Sequence, residues 1–294
     1  MTAAPLEAVP FPLTADPRAY VPRAASESAL RALERALSEG RCGILTGPTG
    51  VGKTTLLHVL GARLGRNVRS IYIPNGRLEF DDVCRWALGM LGESSGDEPR
   101  EALSAVARQL GDAGRQLLLL LDDASEPVLG AASSLVSLSE EVGGALRLIV
   151  VPAKTGYAAQ LAEMLGTGAT WVDFSAPMSA AETAELVQRR LASAGFPKEL
   201  RARFDSATID RIHRAASGNA RLVGLVASEI LWPDRPGEGV EVRIPPAPPP
   251  PPEESPRVEV AQEDPVALPV GGSGADPKKA KPVATAKRPS VEGA

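Results

Sequence analysis

The chain has 294 residues, of which 44% are hydrophobic and 23% are charged, and its formal net charge is −4. This composition can bury one good core and a smaller second one, and it excludes a small disulfide-stapled scaffold and a globally basic nucleic-acid binder. No apolar run approaches the roughly 20 residues of a membrane span, and residues 1–10 lack the pattern of a signal peptide. We therefore expect a cytoplasmic protein with no membrane span.

The few cysteines and histidines predict neither a redox centre nor a zinc site. Cys42 and Cys84 fall in a predicted strand and a predicted helix, where buried thiols of a reduced compartment are common. A redox pair between them is the less favoured reading. His58 and His213 are isolated in the sequence, and we interpret each as an ordinary helix residue.

The first elements in chain order are an extended lead and a helix. Residues 1–24 are rich in proline and lack periodicity, which predicts an extended N-terminal lead. An apolar face over residues 30–37 predicts the first helix. We expect Ser26 to cap its start and Gly40 to follow its end.

A phosphate-binding signal follows at residues 47–54, which read GPTGVGKT and match the pattern G-x-x-x-x-G-K-[ST]. It lies between a predicted strand at residues 42–46 and a predicted helix at residues 54–64, whose N-terminal dipole favours anions. Lys53 would reach the β and γ phosphates, and the Thr54 hydroxyl would ligate Mg²⁺. The alternative is a glycine-rich turn that binds nothing.

This motif predicts ATP and Mg²⁺ as cofactors. We expect the phosphates to lie against backbone N–H groups and side chains of the loop and of the helix start. The predicted cofactor-binding residues are Gly47, Pro48, Thr49, Gly50, Val51, Gly52, Lys53, Thr54 and Thr55.

A second acidic signal lies at residues 117–123, where five leucines precede two aspartates. The apolar run predicts a strand buried on both faces, with the acids at its C-terminal edge. Asp122 would hold Mg²⁺ through water, and Asp123 would orient the attacking water. The alternative is that both acids only begin the next helix, where carboxylates are favoured.

The remaining pattern alternates strands and helices before it becomes helical only. Further strands are predicted at residues 68–73, 146–151 and 171–174, and helices at residues 80–91, 100–110 and 128–138. This alternation predicts an α/β core at residues 25–176, of the P-loop NTPase type, with a parallel sheet and helices on both faces.

A small all-helical lid domain is predicted at residues 177–235. Ser179 and Glu182 form a capping box that begins a helix ending near residue 194, and apolar residues between 209 and 230 mark two more helices. Residues 236–294 are predicted to be a disordered, proline-rich tail. The tail ends in a loose basic cluster of Lys278, Lys279, Lys281, Lys287 and Arg288. We interpret this cluster as solvated, in preference to a binding patch.

The order of these features resembles AAA+ ATPases, and local strings resemble the ExeA family, the general secretion pathway protein A ATPases. The strings are residues 10–13, 16–20, 177–183 and 217–223, so the resemblance spans residues 10–232. It implies that the 217–223 string is the sensor 2 segment of the lid. Its arginine, here Arg221, would then touch the γ-phosphate and couple the lid position to the nucleotide state.

Three departures from that family bear on hydrolysis. The family has Asp-Glu where this chain has Asp122 and Asp123, which withdraws the second carboxylate by about 1.5 Å. The family's polar sensor 1 residue follows the strand at residues 146–151, where this chain offers only Ala153 and Lys154. No arginine occurs from residue 148 to 188, the interval of the arginine finger, which can supply a factor of roughly 10³ to 10⁵ in rate. The membrane span and peptidoglycan-binding domain of the secretion branch are not carried over.

Three functions fit the sequence. The first is an ATP-binding AAA+ ATPase, slow in hydrolysis, whose nucleotide state moves the lid and controls a protein partner or a nucleotide-dependent homo-oligomer. The second is a DNA-binding ATPase of the transposition-helper type, which needs a basic surface. The only cluster that we can nominate in this sequence is Arg63, Arg66 and Arg69, so nucleic acid is not favoured. The third is a nucleotide-binding scaffold with little or no hydrolysis and a working tail.

Overall fold

The computed structural model describes residues 10–11, 15, 17–74, 78–165 and 168–232. The tail predicted at residues 236–294 and most of the predicted lead lie outside these residues. A 3₁₀ turn, Pro17–Ala19, precedes the first helix.

The core is a five-stranded parallel sheet in the order β2-β3-β4-β1-β5. All five residues of β1 are buried, as are all but two of the nine residues of β3, because helices cover both faces. This confirms the predicted parallel sheet. The strands are β1 (Cys42–Thr46), β2 (Val68–Ile73), β3 (Gln116–Ala124), β4 (Leu146–Pro152) and β5 (Ala169–Asp173).

Six helices pack on the two faces of the sheet. One apolar cluster joins α3 to α6 to one face, and a second joins α1 and α2 to the other. The leucine run of β3 serves both, because alternate side chains of a strand point to opposite faces. The helices are α1 (Ala24–Ser38), α2 (Lys53–Arg63), α3 (Phe80–Leu91), α4 (Pro99–Asp112), α5 (Glu126–Glu141) and α6 (Thr155–Leu165).

The start of α1 differs from the prediction. The helix begins at Ala24, with Arg23 as its N-cap residue, so Ser26 lies inside the first turn. Its hydroxyl accepts a hydrogen bond of 3.0 Å from the Arg23 backbone N–H and also bonds the Tyr20 hydroxyl at 2.6 Å. Ser26 therefore hydrogen-bonds to the residue before the helix and is not itself the N-cap, so the predicted cap position was wrong. Gly40 follows the helix with a φ of 75°, as expected.

In the described part of the chain, four helices follow β5 and share a third apolar core, which also contains Phe11. The predicted capping box is present, since the Ser179 hydroxyl accepts from the Glu182 N–H at 3.2 Å and the Glu182 carboxylate accepts from the Ser179 N–H at 2.8 Å. The short α8 was not predicted from the sequence. The helices are α7 (Ala180–Ser193), α8 (Lys198–Arg201), α9 (Ser206–Ala216) and α10 (Ala220–Leu231).

Two further sequence expectations concern the cysteines and membrane spans. Cys42 and Cys84 are both free and buried. Burial raises the pKa of Cys42 to about 11 and that of Cys84 to about 12, so both thiols stay protonated at neutral pH. Within the described ranges, every helix is too short or too polar to span a bilayer.

Candidate functional site

A cavity of about 560 Å³ lies at the carboxyl edge of the sheet, within the size range of small-molecule sites. Four parts of the chain line it: residues 11 and 15 of the lead, the glycine-rich loop after β1, the ends of β2, β3 and β4, and helices α7 and α10. Its polar lining consists of Thr49, Gly50, Gly52, Lys53, Thr54, Thr55, Tyr72, Asp122, Asp123, Arg190 and Arg221.

The loop between β1 and α2 needs glycine where the sequence places it. Gly47, Gly50 and Gly52 have φ values of 149°, 82° and 110°, which L-residues rarely adopt. A Cβ atom at Gly47 would also lie 2.3 Å from the carbonyl oxygen of Phe174. The loop ends at Lys53, the first residue of α2, so the unpaired N–H groups of the helix start lie next to the cavity.

The ammonium group of Lys53 folds back over this loop. Its Nζ donates to the carbonyl oxygens of Gly47 at 2.8 Å and Pro48 at 3.0 Å. Burial lowers the pKa of Lys53, and the nearby carboxylates of Asp122 and Asp123 act in the opposite direction. A phosphate group would stabilise this half-buried cation further, which fits the predicted role.

Thr54 and Asp122 meet although 68 positions separate them. The Thr54 hydroxyl donates to Asp122 Oδ2 at 2.6 Å. Asp122 is 7% exposed, and its Oδ1 accepts from the Asp123 N–H at 3.0 Å. A hydroxyl and a carboxylate are the hard oxygen ligands that Mg²⁺ prefers, so the two predicted metal residues fit that ion.

Tyr72 is a site residue that the sequence reasoning missed. Its hydroxyl donates to the same Asp122 oxygen at 2.9 Å, and its ring lies 4.3 Å from that of His58. Burial and the Asp122 carboxylate both raise the pKa of Tyr72. The available signal was its position near the carboxyl end of β2, which pairs with β3, but the sequence alone did not show that these strands are neighbours.

Asp123 has an unusual backbone conformation. Its φ is 53°, and the pairing of β3 with β4 shifts register between Leu121 and Ala124. Aspartate tolerates this left-handed region better than longer side chains, because it can hydrogen-bond locally. Asp123 is exposed and lines the cavity, where it could reach a water molecule.

The end of β4 presents a methyl group to the cavity. Ala153 lines it, and its N–H donates to the Ala124 carbonyl at 2.8 Å. Lys154 instead places its Nζ 5.7 Å from the centre of the Tyr157 ring. Neither predicted sensor 1 candidate therefore brings a polar side chain into the cavity.

Arg221 reaches the site from the helical region. It lies in the first turn of α10, lines the cavity, and its charge lowers the pKa of Lys53. Its backbone N–H donates to the Gly50 carbonyl at 3.0 Å. Arg190 of α7 lines the same cavity, so two arginines of the helical region face the loop.

A second cavity of about 70 Å³ shares several lining residues with the first, Gly52, Thr55, Leu186 and Arg190 among them. Arg23 closes part of it. The guanidinium carbon lies 4.7 Å from the centre of the Phe174 ring, and Nη1 donates to the Ala176 carbonyl at 2.9 Å. The sequence reasoning did not predict this cavity.

The basic cluster nominated for DNA is partly engaged within the chain. Arg63 makes a two-pronged ion pair with Glu27 at 2.7 and 2.9 Å, and its guanidinium lies 5.7 Å from the centre of the Tyr20 ring. Arg66 and Arg69 are exposed. One of the three nominated arginines is therefore ion-paired within the chain.

Comparisons with known proteins give the fold a name. Residues 35–154 match a family model described as an AAA domain. A Walker-type ATPase of Pyrococcus abyssi is 15% identical over 76% of this chain and 72% of its own, with a TM-score of 0.53. The chain therefore has an AAA-type P-loop fold, as predicted. No curated protein sequence matches it.

Two other solved structures are similar at lower scores. The ORC2 protein of Aeropyrum pernix, solved as ADPNP and ADP complexes, is 17% identical over 75% of this chain and 71% of its own, with a TM-score of 0.48. The RuvB Holliday junction branch migration motor of Thermotoga maritima is 16% identical over 70% of this chain, with a TM-score of 0.46, and this chain spans 60% of its length. The more specific resemblance to the ExeA family stays a prediction.

Proposed function

We propose that this chain binds Mg-ATP in the larger cavity and hydrolyses it slowly, and that the nucleotide state sets the position of helices α7 to α10. The observation that carries the proposal is the 2.6 Å contact between Thr54 and Asp122 beside the glycine-rich loop. This contact joins a hydroxyl and a carboxylate, the ligand types of a metal-nucleotide site, at the start of a helix that favours phosphate.

Each residue has a distinct role in this proposal. The loop N–H groups and Lys53 bind the phosphates, while Thr54 and Asp122 hold the metal. The bound Mg²⁺ would neutralise charge between the β and γ phosphates. Asp123 orients the attacking water, and Arg221 contacts the γ-phosphate from α10. The smaller cavity is the candidate for the base, since it shares residues with the first and has apolar walls at Val51, Leu56 and Phe174.

Slow hydrolysis follows from three features around the γ-phosphate position. Asp123 is one methylene shorter than glutamate, so its carboxylate reaches less far. The side chain of Ala153 offers no hydrogen bond where β4 ends. The stretch from residue 148 to 188 has no arginine to serve a neighbouring subunit.

The partner side of the proposal rests on the sequence. We propose a protein partner or a nucleotide-dependent homo-oligomer, in the cytoplasm, with nucleic acid not favoured. The bidentate ion pair of Arg63 with Glu27 supports the last point, because it occupies the first of the three nominated arginines.

A thermal shift experiment tests ATP binding. Ligand at 100 times its dissociation constant adds about 2.7 kcal/mol, which at this chain length raises the melting temperature by roughly 5 to 11 °C. Lys53→Ala should remove the shift, whereas Lys154→Ala, a lysine that contacts Tyr157, should keep it. An equal shift in wild type and Lys53→Ala would refute the assigned site.

Measurements of the ATPase rate and of the molecular mass, with and without ATP, complete the test. A slow but measurable ATPase rate supports the proposal, whereas binding without turnover favours the scaffold alternative. A change of molecular mass on adding ATP would support the homo-oligomer. Salt-dependent binding to duplex DNA would favour the transposition-helper alternative.

A further inference from the structure

The segment between α9 and α10 is clamped between the glycine-rich loop and the start of α7. Ser217 and Gly218 have φ values of 47° and 69°, so the chain reverses sharply there. The Gly218 carbonyl accepts from the Met178 N–H at 2.9 Å, and a Cβ atom at Gly218 would lie 2.4 Å from the Met178 oxygen. The next residue, Asn219, therefore has a fixed position.

The side chain of Asn219 makes two kinds of hydrogen bond. Its Oδ1 accepts from the N–H groups of Arg221 at 3.1 Å and Leu222 at 3.3 Å, which caps α10. Its Nδ2 donates to the Thr49 carbonyl in the glycine-rich loop at 2.8 Å. The partners determine which end is which, since only the amide oxygen can accept and only the amide nitrogen can donate.

The glycine-rich loop packs closely against this segment. A Cβ atom at Gly50 would lie 2.6 Å from Asn219 Oδ1 and 2.9 Å from Arg221 Cβ. The Gly50 carbonyl accepts from the Arg221 N–H at 3.0 Å. Two consecutive loop carbonyls, those of Thr49 and Gly50, are therefore held by the start of α10.

This arrangement fixes the direction of two loop N–H groups. In a trans peptide the carbonyl and the following N–H point in opposite directions. Because the Thr49 and Gly50 carbonyls face α10, the N–H groups of Gly50 and Val51 face the other way, into the loop. Within the described residues, the Val51 N–H makes a long contact of 3.4 Å with the Pro48 carbonyl.

We propose that Asn219 is a positioning residue for phosphate binding, which acts through the Thr49 carbonyl to hold the loop N–H groups in their binding direction. Thr49, Gly50 and Arg221 line the larger cavity, and Asn219 is not among its described lining residues, so it acts through the loop and not by touching the ligand. The phosphate loop is thus completed by a residue 170 positions away, in the helical region. This inference rests on the proposed function, since the phosphate is that of the nucleotide.

The test variant is Asn219→Ser. Serine caps a helix about as well as asparagine but is too short to cap α10 and also reach Thr49. Losing one such hydrogen bond should weaken Mg-ATP and ADP binding roughly tenfold, which corresponds to about 1.4 kcal/mol. Asn219→Asp keeps the cap but cannot donate, so it should weaken binding at least as much.

The matched control is Asp205→Ser. Asp205 caps α9 through a 2.8 Å bond from the Thr208 N–H and contacts no loop residue in the described hydrogen bonds. It should bind nucleotide like the wild type. An equal loss of affinity in Asp205→Ser and Asn219→Ser would show a general loosening of the helices and would overturn the proposal.

Amide hydrogen exchange in the nucleotide-free protein separates this inference from the proposed function. Exchange of the peptide covering residues 47–55 should be faster in Asn219→Ser and unchanged in Asp205→Ser. If the wild type binds no nucleotide, the ATP proposal and the phosphate-positioning role both fail, although a difference in exchange would still show that Asn219 holds the loop. If the wild type binds nucleotide and only the Asn219 variants lose affinity and protection, both proposals are supported. If the wild type binds and Asn219→Ser matches it in affinity and exchange, the positioning role is wrong.

Discussion

Replacing Asp122 in two ways separates its structural contribution from its metal-binding role. Asp122→Ala removes the acceptor of three hydrogen bonds, from the Thr54 hydroxyl, the Tyr72 hydroxyl and the Asp123 N–H. Asp122→Asn keeps an amide oxygen in the same place, and the two hydroxyl groups can rotate to accept from its nitrogen. The first change should destabilise the fold, and the second should not.

The magnitude follows from where the three donors lie. All three are only partly buried and border the cavity, so water can replace the carboxylate and each lost bond costs about 1 kcal/mol. For a fold of this size, about 2 to 3 kcal/mol lowers the melting temperature by roughly 4 to 12 °C. Asp122→Asn should cost less than about 1 kcal/mol.

The assay is a set of melting curves with EDTA, Mg²⁺, ATP and Mg-ATP. Both variants should lose the part of the ATP shift that depends on Mg²⁺. Asp173→Asn is the control, because Asp173 also lies near the carboxyl end of a strand and accepts a hydrogen bond, from Ser175 at 2.6 Å, but does not line the larger cavity. A full Mg²⁺-dependent shift in Asp122→Asn would refute the metal role, and an unchanged melting temperature in Asp122→Ala would refute the hydrogen-bond argument.

Three other predictions concern hydrolysis, coupling and the tail. Asp123→Glu should raise ATP turnover by extending the carboxylate. It should lower the free energy of unfolding by about 1 kcal/mol, because the φ of this residue is 53°. A wild type that already turns over tens of times per second would contradict this. Arg221→Ala should retain some ATP binding but lose ATP-dependent changes in proteolysis over residues 175–235, and unchanged digestion patterns would exclude the coupling role. Truncation after Ile244 should leave the melting temperature within about 1 °C and abolish capture of a protein partner, whereas a lower melting temperature would show that the tail stabilises the fold.

Signals confined to a few neighbouring residues were read correctly from the sequence. The turn at the glycine-rich loop is one such signal, because Gly47, Gly50 and Gly52 adopt positive φ values that glycine allows. The strands over residues 42–46 and 68–73 were predicted at their observed bounds. The capping box at Ser179 is equally local.

Local signals failed where a neighbour in space decided the outcome. Ser26 looks like a helix cap, but α1 begins earlier, and its hydroxyl bonds the Arg23 N–H and the Tyr20 hydroxyl instead. The helix α6 was not predicted, although Ala158 and Leu161 are fully buried against the sheet. Packing on the sheet stabilises such a helix more than its own periodicity reveals.

The sequence by itself determined the glycine-rich loop and the acidic residues near the end of β3, because each is a continuous string with its own local geometry. Only the tertiary structure decided what they meet. The strand order places Tyr72 beside Asp122, 50 positions away, and the start of α10 brings Asn219 to Thr49, 170 positions away. Contacts at such separations depend on strand order and helix packing. Many different sequences are compatible with the same strand order and packing, so no short motif encodes these contacts.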